Sequence, residues 1–173
     1  GTPMHISDTE QGTVALTVSE IKESTPTLVP DRVGKYVIVR QVASGGFGTV
    51  YEAYDEQLHS RVAIKVSRYQ GDTAVNQAML EEARLHAKLR HPNIVRVLTV
   101  ERQSDDGIYI VMDWIHGQTL REYMARCKLS VAQSLSITQQ IAEAMHYAHR
   151  VGFVHRDLKP NNVLIDEEGK PYV

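Results

Sequence analysis

The chain has 173 residues, 42% hydrophobic and 23% charged, with 19 Lys and Arg against 21 Asp and Glu. That apolar content argues against wholesale disorder, and the net charge of −2 argues against a nucleic-acid surface working by bulk positive charge. No apolar run approaches the roughly 18 residues of a membrane helix, and a single cysteine, Cys127, leaves no intrachain disulfide and fits a reducing, cytoplasmic setting.

Residues 1–32 differ in texture from the rest, being rich in Thr, Ser, Glu and Pro. They are expected to form a flexible leader, with the alternation over 13–18 as a candidate edge strand. From Val33 to Met112 short β-rich runs dominate. Tyr36–Val42 and Thr49–Tyr54 read as strands joined by the glycine turn Ser44-Gly45-Gly46, and Val62–Val66 as a third strand. Ala74–Leu89 has helical spacing, with Ala78, Leu85 and Leu89 as its apolar positions, and His91-Pro92 closes it. Ile94–Val100 and Ile108–Met112 complete a five-stranded antiparallel sheet with one helix.

Residues 113–119 form a link, after which the pattern turns helical. Leu120–Ala125 reads as a short helix and Ser130–Arg150 as a long one, with Ser130 and Gln133 as a capping box. Val131, Leu135, Thr138, Ile141, Met145 and Ala148 recur at three- and four-residue steps and are the expected buried face. Gly152 ends the helix, and Asp166-Glu167-Glu168-Gly169-Lys170 reads as a solvated hairpin turn. The fold class is therefore α+β.

Three stretches carry chemistry. In Val42-Ala43-Ser44-Gly45-Gly46-Phe47-Gly48-Thr49-Val50, glycines between two strands let backbone N–H groups approach phosphates without Cβ atoms in the way. No Gly-Lys-Ser/Thr follows, so this is not a Walker A loop. Lys65 ends an apolar strand beside that hairpin, where it can pair with polyphosphate oxygens. Such a lysine needs an anionic anchor, and Glu81 or Glu82 on the next helix can supply it by position. The most specific stretch is His155-Arg156-Asp157-Leu158-Lys159-Pro160-Asn161-Asn162-Val163-Leu164. Its carboxylate can accept or orient a hydroxyl proton, its lysine can neutralise phosphoryl charge, and an amide oxygen five residues after the Asp can ligate Mg²⁺.

With these motifs in this order, the chain from about Val33 to Val173 resembles the protein kinase superfamily, in its Ser/Thr branch and with a bacterial, eukaryotic-like wording. The resemblance implies an N-lobe over 33–112, a hinge over 113–119 and part of a C-lobe over 120–173. It implies ATP and Mg²⁺ as cofactors and a protein substrate bearing Ser or Thr. Gly45, Gly46, Phe47 and Gly48 would cover the phosphates, and Lys65 would hold them with Glu82, not Glu81, as its partner. Met112 would be the gatekeeper, Asp113 and Ile115 would bond the adenine edge through their backbones, and Val42, Val50, Ala63 and Leu164 would sandwich the ring. Asp157 would be the catalytic base, Lys159 would stabilise the transferring group, Asn162 would hold Mg²⁺, and Arg156 would pair with a phosphorylated loop.

Two departures qualify this. Ala43 stands where the family's loop has its first glycine, and a left-handed backbone there would cost about 1 kcal/mol, weakening nucleotide binding. No Asp-Phe-Gly or Ala-Pro-Glu occurs in the 173 residues, so the chain reads as cut before the second metal ligand and is expected to be inactive or severely impaired alone. The alternatives are a non-catalytic nucleotide-binding or scaffold module, and a small-molecule phosphotransferase of related fold. Self-association through an uncovered helical surface is also expected. His146 and His149, one turn apart, are read as ordinary surface, Cys127 as packing, and Trp114 as a rim residue.

Overall fold

The structure, a computed structural model, describes residues 29–45, 48–67, 73–102 and 107–173. The candidate strand over 13–18 lies outside them, as do Gly46 and Phe47. The first layer is an antiparallel sheet of β1 (Arg32–Val33), β2 (Tyr36–Gly45), β3 (Gly48–Asp55), β4 (Ser60–Val66), β5 (Val97–Arg102) and β6 (Ile108–Asp113), in the order β1-β2-β3-β4-β6-β5. It has six strands where five are expected, because Arg32 and Val33 pair back onto Val37 and Tyr36 and Val33 is buried.

Alternation along the strands sorts the sheet into two faces. Val62 and Ile64 of β4 join Val33, Tyr36, Ala53, Tyr109 and Val111 in one core cluster. Ala63 and Lys65 point to the other face, opposite Met112 and Ile110 of β6. That face is covered in part by α1 (Thr73–His86), whose Ala83 and Met79 pack on Val97, Ile110 and Met112. Leu85 is exposed, and Leu89 lies beyond the helix end, so the apolar positions expected from spacing are not the ones α1 uses.

The second part contains α2 (Leu120–Arg126), α3 (Val131–Arg150), a 3-10 turn (Pro160–Asn162) and a small sheet of β7 (Gly117–Thr119), β8 (Leu164–Asp166) and β9 (Pro171–Tyr172). Both helices begin with full capping boxes: Thr119 with Glu122, and Ser130 with Gln133 as expected. The 166–170 turn is present, with Asp166 Oδ1 accepting from the N–H groups of Glu168 and Lys170.

The buried face of α3 is the expected one only in part: Ala148 is buried, and Ile141 and Met145 are half-buried against the core, as expected. Ile137, Ala144 and Ala148 are inside, whereas Val131 is 76% and Leu135 65% exposed, and Thr138 is also at the surface. The helix carries apolar residues on two faces, and its neighbours select one. Ala144 and Ala148 are small enough to admit Leu89 and Ile94 closely, and Ile137 packs with Val163 and Ile165. Cys127 is likewise exposed at the end of α2, not packed.

The two parts are joined by backbone. Val95 N–H donates to Val173 O and Val173 N–H to Asn93 O, each at 2.9 Å. The buried Asn93 side chain donates to Pro171 O at 2.8 Å and to Gln140 Oε1 at 3.0 Å.

Candidate active site

The glycine hairpin closes where Gly45 pairs with Gly48. Gly48 has φ 144°, and a Cβ on it would lie 2.2 Å from Val66 O. Glycine is therefore required there by both backbone and space. Ala43 makes no such demand: it lies in β2 opposite Val50, and the positive-φ residues other than glycine are His59 and Arg156 among those described. The strain expected at Ala43 is absent because the residue is extended strand.

Val50 stands opposite Lys65, and Ala63 opposite both Glu52 and Met112, so the residues expected around a nucleotide share one face of the sheet. Val42 is exposed near the mouth of the hairpin, while Lys65, Met112 and Ile115 are half-buried. Leu164 lies in β8 of the small sheet, half-buried and opposite Thr119 of β7. Gly117 allows β7 and β8 to lie this close, since a Cβ on it would sit 2.0 Å from Ile165 O. Asp113 N–H donates to Arg96 O at 3.0 Å and its carboxylate pairs with Arg96.

A charged cluster on the same face escaped the reading from sequence. Glu52 is 1% exposed and is held by Arg40 from β2 and Arg61 from β4. Arg40 also lies over the Trp114 ring, 5.7 Å from its centroid, and so ties the hairpin to the link region. The signal was available in register alone, as three charged residues on adjacent strands.

Lys65 and Glu82 form no ion pair, Glu82 being exposed on α1. Both nevertheless act on two imidazoles between them and the catalytic loop. His86, one turn beyond Glu82, has Nε2 2.9 Å from Val95 O and its ring 5.6 Å from that of Phe153. Burial, more than any charge, holds His86 below the ordinary imidazole value, and His155 is depressed for the same first reason.

The loop Arg156–Asn162 is tightly organised. Arg156 has φ 63°, and Asp157 N–H donates to His155 O at 2.8 Å. The Lys159 ammonium is 2.8 Å from Asp157 Oδ2. Asn162 Nδ2 donates to Asp157 O at 2.8 Å and to Asp157 Oδ2 at 2.9 Å. The Lys159 hydrogen bond first, and that of Asn162 after it, hold Asp157 below the usual carboxylate range. Asp157 is thus an ionised, exposed acceptor at neutral pH. Asn162, whose amide nitrogen is committed to Asp157, also carries a hard oxygen, Oδ1, of the kind that suits one coordination position of Mg²⁺. No cluster of three or more His, Cys, Asp or Glu residues able to hold a metal occurs among the described residues.

No helix among the described residues is long and apolar enough to cross a membrane. Residues 36–173 match the protein kinase domain model. The chain is 41% identical over 139 residues to the serine/threonine-protein kinase PrkC of Bacillus subtilis, covering 79% of this chain and 21% of that protein. It is 37% identical over 144 residues to PknA of Mycobacterium tuberculosis, covering 79% and 33%. With the probable kinase pknA2 of Bifidobacterium longum it shares 40% over 143 residues, covering 79% and 19%. The chain therefore spans about a fifth to a third of the length of these curated relatives.

Proposed function

The chain belongs to the protein kinase family, among bacterial serine/threonine kinases of eukaryotic-like type, and from that membership we propose that the whole protein transfers the γ-phosphoryl group of ATP to Ser or Thr hydroxyls of a protein substrate. The observation that carries this reading is the Asp157–Lys159–Asn162 arrangement. Asp157, ionised and exposed, accepts the hydroxyl proton or orients the hydroxyl for attack. Lys159, already beside that carboxylate, supplies positive charge where phosphoryl charge moves. Asn162 Oδ1 takes one Mg²⁺ position, and the ion's contribution when bound is to neutralise the phosphate oxygens. Lys65 holds phosphates from β4, with Glu82 closing onto it from α1, and Gly45 to Gly48 cover them. Val42, Val50, Ala63 and Leu164 enclose the base, with Met112 behind it and Asp113 and Ile115 at its edge.

The 173 residues alone are proposed to transfer phosphate at a severely reduced rate, since they offer one metal-binding amide and no Asp-Phe-Gly carboxylate. The test is a phosphotransfer assay of the full-length protein with γ-labelled ATP and a Ser/Thr-containing protein acceptor. Label is expected on Ser or Thr, reduced by orders of magnitude in Asp157→Asn and Lys65→Met. ATP binding without any phosphoserine or phosphothreonine would replace this reading with that of a non-catalytic nucleotide-binding module.

A further inference from the structure

Glu52 is 1% exposed and lies in the row Arg40–Glu52–Ala63–Met112, which crosses four neighbouring strands of the sheet. A buried carboxylate has to be paired. Arg61, two residues before Ala63 and on the same face, meets its Oε1. One guanidinium would neutralise it. A second, from Arg40, donates from Nε to Oε2 at 2.7 Å, so the cluster carries one cation more than its carboxylate balances. The extra guanidinium lies over the half-buried indole of Trp114, its Cζ 5.7 Å from the ring centroid. The negative face of an aromatic ring suits a cation already tied by its edge. Two register shifts in β2, between Ile38 and Arg40 and between Gln41 and Ala43, bracket Arg40. Such irregularities bend a strand and re-aim a side chain. β2 thus leaves regular pairing at the residue that reaches the link, and then runs on to Gly45.

We propose that Arg40 is a positioning residue for the nucleotide: anchored by Glu52, it rests on Trp114 and so fixes β2 against the 113–119 link. This deepens the reading of the nucleotide site given above and rests on it. β2 carries Val42, and Trp114 stands between Asp113 and Ile115. The contact therefore sets the gap between a residue proposed to enclose the base and two proposed to bond its edge. β2 has no strand pairing with β6 or with the link, so the sheet itself does not supply this connection. An ammonium could pair with Glu52 or cap the ring, whereas a planar guanidinium does both, edge to carboxylate and face to indole. Asp157, Lys159 and Asn162 belong to a separate hydrogen-bonded loop, so the contact bears on nucleotide affinity and not on the transfer step.

The experiment uses the full-length protein and measures Kd for a fluorescent ATP analogue with Mg²⁺, alongside KM for MgATP and kcat. Trp114→Leu removes the ring face and leaves both Glu52 pairs in place, so it tests the contact even if Arg40→Gln unfolds the sheet. Trp114→Leu is expected to raise Kd and KM about two- to fivefold at unchanged kcat. Trp114→Phe, which keeps a ring, is expected to recover most of that loss. Arg40→Gln is expected to match Trp114→Leu, and the double variant to be no worse than either alone. Wild-type Kd and KM in Trp114→Leu, with transfer intact, would overturn the positioning role and leave the reaction standing. So would losses that add in the double variant, or a fall in kcat with KM unchanged. Analogue binding with the expected pattern but no phosphotransfer by wild type would uphold the role of Arg40 and defeat the proposed reaction.

Discussion

At Gly48 two requirements coincide, a backbone φ of 144° and a Cβ position 2.2 Å from the Val66 carbonyl oxygen. Gly48→Ala therefore has to move β3 or β4, and a loss of roughly 1–3 kcal/mol is expected from the urea midpoint, as for other residues forced into sparsely populated backbone regions. Ala43→Gly is the opposite case. Its strand geometry is ordinary and paired, so glycine adds only backbone entropy, costing roughly 0.5–1 kcal/mol without any gain in MgATP affinity. A several-fold tighter MgATP complex would show that Ala43 limits the loop after all. His86 makes a prediction of a different kind. Burial favours its neutral form, so the folded value lies below that of an ordinary imidazole, roughly 6.5. The unfolded state then binds more protons, and stability is full above that pH and is lost as pH falls through it towards the folded value. Glu82 opposes this shift, while His155 and Lys65 reinforce it. His86→Gln keeps a donor for Val95 O but does not titrate, so its stability should fall less steeply between pH 7 and 5 in thermal melts. Equal slopes would remove His86 from the acid response.

Each helix of the second part is started by side chains that satisfy its own orphan N–H groups. Ser130 Oγ accepts from Gln133 N–H at 3.1 Å, and Gln133 Oε1 returns a bond from Ser130 N–H at 2.9 Å. Ser130→Ala is expected to cost about 1 kcal/mol, read as a lowered thermal midpoint, and Ser130→Asp to recover most of it. An unchanged midpoint would mean that packing at Ile137 and beyond carries the helix without its cap. The Ser130 cap was readable because it depends on residues three apart. Thr119 and Glu122 stand at the same spacing of three and form the same box. The strands were readable from alternation, but not the burial of Glu52, which depends on Arg40 and Arg61 arriving from two other strands. For α3, spacing alone could not choose between two apolar faces. The choice was made by Leu89, Ile94 and Val163, residues distant in the chain. The site motifs themselves were local and therefore plain, whereas the separation of Lys65 from Glu82 is a matter of where α1 sits.

At the scale of the molecule, the consequence of that choice is an apolar stripe left at the surface. Val131 and Leu135 are 76% and 65% exposed one turn apart, and the next turns of α3 bring Thr138 and Ala142, also exposed, onto the same side. Scattered exposed apolar residues are normal, but a stripe along one helix is an association surface. The opposite face cannot compensate, since Ile137, Ala144 and Ala148 are already committed to the core. Covering each exposed side chain is worth at most roughly 1.5–3 kcal/mol, which has to offset the several kcal/mol of freedom lost on association, so pairing is expected to be weak and to need high concentration. The 173-residue chain is therefore predicted to self-associate through α3, and sedimentation velocity over a concentration series should show a mass above 19.5 kDa. Val131→Ser with Leu135→Ser should return it to a monomer without changing the thermal midpoint by more than about 1 kcal/mol equivalent, because neither side chain is buried. A wild-type monomer at every concentration would defeat the prediction. So would an oligomer indifferent to both substitutions, because association would then have to run through another surface.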